Sequence, residues 1–109
     1  MSHRITTKTE ITDLDLAETA LQSKDWSYNV NGANISITSG PMARTSINLK
    51  TGVVSGDTDY TNREGLTALN QAYGEALCVQ GVEEQGGYVE NREVLDNGSV
   101  RLVMNVAFG

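Results

Sequence analysis

One cysteine, one proline, one histidine, one tryptophan and one phenylalanine are all that the chain has of each, and every scarcity narrows the chemistry open to it. A single thiol, Cys78, excludes an internal disulfide, and its place in an apolar helical run predicts a small core residue in a reducing cytoplasm. The lone His3 cannot build a histidine-rich metal site, and neither a cysteine pair nor a His-Glu-x-x-His helix accompanies it. Asp57 and Asp59 have the spacing of the first two ligands of a calcium loop, but Asn62 takes the glycine position and Ala68 that of the bidentate glutamate. No metal or other cofactor is therefore expected. Gly52, Gly56 and Gly65 lack the spacing and the following lysine of a phosphate-cradling loop, while Gly86-Gly87 precedes a strand. Nothing marks a nucleophile with its base, and the expectation is a protein that is not an enzyme.

Positive charge is the next shortage. Eight lysines and arginines stand against fourteen acids, a net charge of −6, which disfavours indiscriminate attraction to nucleic acid or to anionic lipid. Trp26, Tyr28, Tyr73 and Phe108 fall on predicted core faces, leaving Tyr60 and Tyr88 free to stack on bases, so nucleic acid is not an expected partner. Ser2, His3 and Arg4 lead into a polar, threonine-rich segment and not into an apolar one, which predicts no secretory leader, and no run is long enough to span a membrane. The expected location is the cytoplasm.

What is present reads as one domain: 109 residues, 39% of them apolar, with a modest core. A chain of this length buries roughly 65% of its unfolded surface, so oligomerisation would add useful burial. Residues 3–11 alternate as a strand, with His3, Ile5, Thr7, Thr9 and Ile11 opposite Arg4, Thr6, Lys8 and Glu10. Thr12 with Asp15 forms a capping signal, and Leu14, Ala17 and Leu21 recur at helical spacing, predicting a helix from Asp13 to Lys24. Asn31-Gly32 suits a two-residue turn that would pair Val30 with Ala33, Tyr28 with Ile35 and Trp26 with Ile37.

After Gly40-Pro41, the residues Thr45, Ile47 and Leu49 alternate with Arg44, Ser46, Asn48 and Lys50, and Thr51-Gly52 turns into a short strand at 53–55. Thr61 and Glu64 form a second capping box, followed by Leu66, Leu69, Tyr73, Ala76 and Leu77 on one helical face, until Gly86-Gly87 ends the run. Gly65, Gly74 and Gly81 weaken this helix by about 1 kcal/mol each, which predicts close packing or a break near Gly81. Residues 88–95 and 99–108 form a terminal hairpin, with Val100, Leu102, Met104, Val106 and Phe108 on one face. A two-residue turn would pair Val94 with Arg101. A three-residue turn pairs Glu93 with Arg101 and Val94 with Val100, and is preferred because it matches charge with charge and apolar with apolar.

The opening Met1-Ser2-His3-Arg4-Ile5-Thr6-Thr7-Lys8-Thr9-Glu10-Ile11, running into Thr12-Asp13-Leu14-Asp15-Leu16-Ala17, resembles the start of a cyanobacterial, plastid and cyanophage family. This is the hypothetical chloroplast reading-frame group carrying domain of unknown function 1257. Tyr73, Gly86-Gly87-Tyr88-Val89 and residues 96–102 are similar to that family's helix, Gly-led strand and final hairpin, so the resemblance covers most of the chain. The aromatic-rich middle segment of longer relatives is reduced here to residues 53–60, as would suit a phage copy. The family has no assigned activity, so the resemblance implies a build, an origin in a photosynthetic or phage-infected cell, and a modest preference for a role at Ser2 or His3.

Strand, helix, strand group, helix, hairpin is the order of a two-layer α+β domain, an antiparallel sheet with both helices on one face. On its other face the first, third and fourth strands would place Arg4, Thr6, Lys8, Asn34, Ser36, Arg44, Ser46, Asn48 and Lys50, with Glu10 the only acid. Such a face suits an acidic partner, an anionic ligand or a second copy of the chain, although solvated polar residues are also ordinary on a one-sided sheet. The function expected from this reading is a non-enzymatic interaction module, self-associating as a homo-oligomer and docking on a cellular protein of its host through the polar face or an edge strand. The alternative is an oligomer that sequesters a small anionic, nucleotide-type signal using Arg4, Lys8, Arg44 and Arg101; the third is an enzyme with a site shared between chains. The candidate binding residues are His3, Arg4, Lys8, Arg44, Asn48, Lys50 and Arg101.

Overall fold

The computed structural model describes residues 4–57, 63–97 and 99–105, and the chain is an α+β protein of two helices, a five-stranded antiparallel sheet and a separate two-stranded sheet. The elements run β1 (Arg4–Lys8), α1 (Leu14–Ser23), β2 (Tyr28–Asn31), β3 (Asn34–Ile37), β4 (Thr45–Asn48), β5 (Val53–Asp57), α2 (Arg63–Glu84), β6 (Tyr88–Val94) and β7 (Val100–Asn105). They divide into two compact units, 1–73 and 74–109, with the boundary inside α2.

In the first unit the strand order is β1-β5-β4-β3-β2. Alternation decides which side each residue takes: Thr45, Ile47 and Leu49, and Ile35 and Ile37, are buried, while Asn34 and Ser36 are exposed. Leu16, Ala17, Ala20 and Leu21 form the buried stripe of α1, and Leu69, Ala72 and Tyr73 that of the first part of α2. Burying one such leucine or isoleucine side chain contributes about 1.5–3 kcal/mol. Met42, at 0% exposure, lies in the turn between β3 and β4 and closes this core. Among the described residues, no buried side-chain polar atom lacks a hydrogen-bond partner.

The helix ends are set by local hydrogen bonds. The start of α1 lies one residue later than Thr12: the Asp13 side chain accepts the Leu16 N–H at 3.1 Å, because at this position the carboxylate reaches the third helical amide. Its end is a left-handed turn on Asp25 (φ 57°), where the Trp26 N–H reaches the Leu21 carbonyl and the Asp25 N–H that of Gln22. Gly86 (φ 80°) ends α2 in the same way, with Gly87 bonded to Val82 and Gly86 to Glu83. No break occurs at Gly81, and α2 runs on to Glu84. The cap expected at Thr61 lies outside the described residues.

The β2–β3 hairpin keeps its predicted faces but not its register. Tyr28 pairs with Ile37, Asn29 with Ser36, Val30 with Ile35 and Asn31 with Asn34, so the turn is Gly32-Ala33. Gly32 has φ 60° and Ala33 is not in the left-handed region, a turn with its positive φ on the first central residue. The shift of two residues takes Trp26 out of the ladder and lays its ring over Gly40. A Cβ at Gly40 would stand 2.5 Å from Trp26 Cδ1, which only glycine avoids.

β1 is held to the rest of the sheet by β5 and by one tight closure beyond it. The Thr9 N–H and Thr9 hydroxyl both donate to the Gly52 carbonyl, at 2.8 and 2.6 Å, and the Ile11 N–H donates to the Thr9 hydroxyl at 3.1 Å.

In the second unit β6 and β7 pair Glu93 with Arg101 and Val94 with Val100, the preferred one of the two predicted registers, with an irregularity between Val89 and Asn91. The Leu95 N–H reaches the Ser99 carbonyl, closing a three-residue loop. Gly98, Val106 and Phe108 lie outside the described residues. Cys78 and Leu77 are exposed, Leu77 at 50%, against the expectation of a core face. Helical periodicity marks these residues as neighbours of Tyr73, but the buried stripe among the described residues reaches only Val82 beyond it.

Candidate polar sheet face

The five-stranded register builds two rows across the first unit, polar at every position but Val53. Thr6 stands beside Ser55, Ser55 beside Ser46, Ser46 beside Ser36 and Ser36 beside Asn29. The next row runs Lys8, Val53, Asn48, Asn34 and Asn31. All are exposed or half-buried, and neighbouring strands repeat at roughly 4.8 Å, so hydroxyls and amides are presented at a regular spacing. Ser46 and Ser55 are linked hydroxyl to hydroxyl at 3.3 Å, which fixes the middle of the first row.

Two of the residues predicted from sequence are brought together: Lys8 and Asn48 flank Val53 in one row. Asn48 is also a turn former, since its side-chain oxygen accepts the Lys50 N–H at 3.0 Å. Lys50 is exposed but lies in that turn and not on a strand, because the chain must leave the sheet to reach Gly52 (φ 77°). Arg44 likewise is not a strand residue. It takes a left-handed conformation (φ 64°) just before β4, with its N–H bonded to the Ile37 carbonyl, and lies four residues from Asn48, roughly 13 Å along an extended chain. Arg101 belongs to the second unit, opposite Glu93, so the predicted set is divided between units. His3 lies outside the described residues, as do Asp59, Tyr60 and Asn62.

The sequence reading missed β5 as a member of this face. Because β5 lies between β1 and β4, Ser55 and Val53 enter the two rows, and Asp57 is the ladder partner of Arg4. A strand of Val-Val-Ser-Gly-Asp gives little alternation from which to read its neighbours.

An exposed ion pair stands elsewhere in the chain. Arg92 on β6 donates through Nε and Nη2 to the two carboxylate oxygens of Glu75 on α2, the second bond at 3.2 Å. That hydrogen bonding, reinforced by charge attraction, raises the Arg92 guanidinium above its ordinary range.

Among the described residues no group of three or more histidines, cysteines, aspartates or glutamates is placed to hold a metal ion, and no helix is long and apolar enough to cross a membrane. The chain matches no protein-family model, no curated protein and no solved structure.

Proposed function

We propose that this chain is a non-enzymatic interaction module that self-associates and docks on a protein of the cell in which it is made. The observation that supports the reading is the pair of polar rows, Thr6-Ser55-Ser46-Ser36-Asn29 and Lys8-Val53-Asn48-Asn34-Asn31. An extended array of donors and acceptors with one lysine at its border matches the polar surface of a protein better than it matches a compact ligand, which needs convergent groups in a concavity. On the family resemblance, that cell is a cyanobacterial or plastid-bearing one, infected in the case of a phage copy.

Sequestration of a small anionic signal has less support, because Arg44 lies before β4 and outside the strand rows, one of which holds Lys8. The test is quantitative cross-linking to cellular proteins with the wild-type chain and with Lys8→Glu/Asn34→Glu. Both positions are exposed, so each substitution shifts stability by less than about 0.5 kcal/mol. Loss of a specific cross-linked partner with an unchanged unfolding midpoint supports the proposal, and an unchanged partner rules the face out. Retention of a nucleotide through gel filtration, lost with the same variant, would favour the sequestering reading instead.

A further inference from the structure

The open edge of the five-stranded sheet at β2 is built to pair with itself. In a two-residue hairpin the closing pair, here Asn31 and Asn34, exchanges hydrogen bonds, and bonded and non-bonded pairs then alternate along the strands. The bond from the Thr38 N–H to the Ser27 carbonyl, at 2.8 Å, has the phase this requires. Tyr28 and Val30 therefore belong to the non-bonded pairs, and their N–H and C=O groups point away from β3, on the side where the strand order ends. Four backbone groups are left facing outward. Proteins ordinarily blunt such an edge with a lysine, a proline or a bulge. Tyr-Asn-Val-Asn has none of these, its pairing is regular, and Asn29, Val30 and Asn31 are all exposed, Val30 at 40%.

We infer that a second copy of this chain pairs antiparallel with β2 about a two-fold axis at Asn29. In that register Tyr28 of each copy faces Val30 of the other and exchanges both hydrogen bonds with it, which satisfies all four outward groups on each side. Neighbouring registers leave groups unused: centring on Val30 would set Tyr28 against the turn residue Gly32. The match extends to the side chains. Tyr28 and Val30 lie on the side of the sheet that carries Ile35 and Ile37, so the apolar side meets apolar, and Asn29 meets Asn29 on the polar side. The strand has no charge of its own, so a chain of net charge −6 brings no like charges together at the seam. The product is a ten-stranded sheet in which the row from Thr6 to Asn29 continues into its own copy. This deepens the docking reading, since the polar face is doubled, but it is measured separately: mass and cross-links report the seam, and partner binding reports the face.

Asn29→Cys in a Cys78→Ser background tests the geometry. Opposite residues of a non-bonded pair have Cα atoms about 4.5 Å apart, within the range of about 4.4–6.8 Å that a disulfide spans. Mild oxidation should link Asn29→Cys into a covalent dimer, whereas Ser36→Cys, one strand further from the seam in each copy, should remain unlinked. Val30→Pro removes one outward N–H per copy while leaving the inner ladder intact, as an edge strand tolerates. Two hydrogen bonds are lost from the dimer, and its dissociation constant should rise about thirtyfold in native mass spectrometry. Val30→Lys, which keeps the backbone donor but places a charge at the edge, should weaken the dimer as well and decides the matter if the proline variant does not fold. A wild-type chain that is monomeric at every concentration overturns the inference. So does a dimer that survives both Val30 variants without an Asn29→Cys cross-link.

Discussion

The two units of this chain are built from similar amounts of secondary structure per residue but differ in what they bury. Residues 1–73 hold Ile11, Leu21, Ile35, Ile37, Met42, Ile47 and Leu69 at no more than 1% exposure, whereas Val82 is the one buried apolar side chain among the described residues of 74–109. Leu77, Tyr88, Val94, Leu95, Val103 and Met104 are large apolar residues left exposed in the second unit. A two-stranded hairpin is marginally stable alone, so the contrast teaches that backbone pairing and side-chain burial are separate requirements, and that the second unit meets mainly the first.

Substitutions can break this contrast or sharpen it. The largest loss is expected for Gly52→Ala in the first unit, where a Cβ would stand 2.1 Å from the Thr9 carbonyl oxygen and the backbone has φ +77°. Overlap with backbone cannot be relieved by a rotamer change, and urea unfolding should report a loss of more than about 4 kcal/mol. Leu21→Ala should cost about 2–5 kcal/mol, while Leu77→Ala at 50% exposure should cost less than about 0.5 kcal/mol in the same assay. Equal losses at the two leucines would show that the second unit is covered in solution. Gly81→Ala should stabilise by about 1 kcal/mol, since α2 is helical there and nothing lies within 4 Å of the added methyl group. Asp25→Gly should add up to about 1 kcal/mol by removing the cost of a left-handed conformation at the end of α1. The smallest effect is expected for Glu75→Gln, because the ion pair with Arg92 is solvent-exposed. Its signature is a shift in the Arg92 Nε–H resonance with no change in the unfolding midpoint.

Much of this fold is legible in the residue pattern. Alternation at Thr45, Ile47 and Leu49 marks the buried side of β4, and the pairing of Glu93 with Arg101 follows from matching charges and apolar residues across a hairpin. The β2–β3 register is less accessible, because Asn31-Gly32 and Gly32-Ala33 are both competent turns and the choice is coupled to Trp26 and Gly40, well apart in sequence. Leu77 and Cys78 show another limit. Periodicity tells which residues share a helical face, but not where along the helix the layer beneath it ends. Of the candidate site, the Asn34, Ser36, Ser46 and Asn48 face is legible from alternation alone. The contribution of Ser55 is not, since it depends on β5 inserting between β1 and β4, a choice of strand order that local pattern does not encode.

That insertion also governs the order in which the chain can assemble. β2, β3, β4 and β5 follow one another in the chain, and each of the last three pairs with its predecessor. β1 precedes the other four strands of this sheet but pairs only with β5, across 49 residues at Thr6 and Ser55, so it cannot take its place in the sheet before β5 has been made. Until the two pair, their facing hydrogen-bonding edges are open. The double hydrogen bond from Thr9 to the Gly52 carbonyl lies at the far end of that seam, and a chain arrested before residue 52 lacks both the strand and the latch.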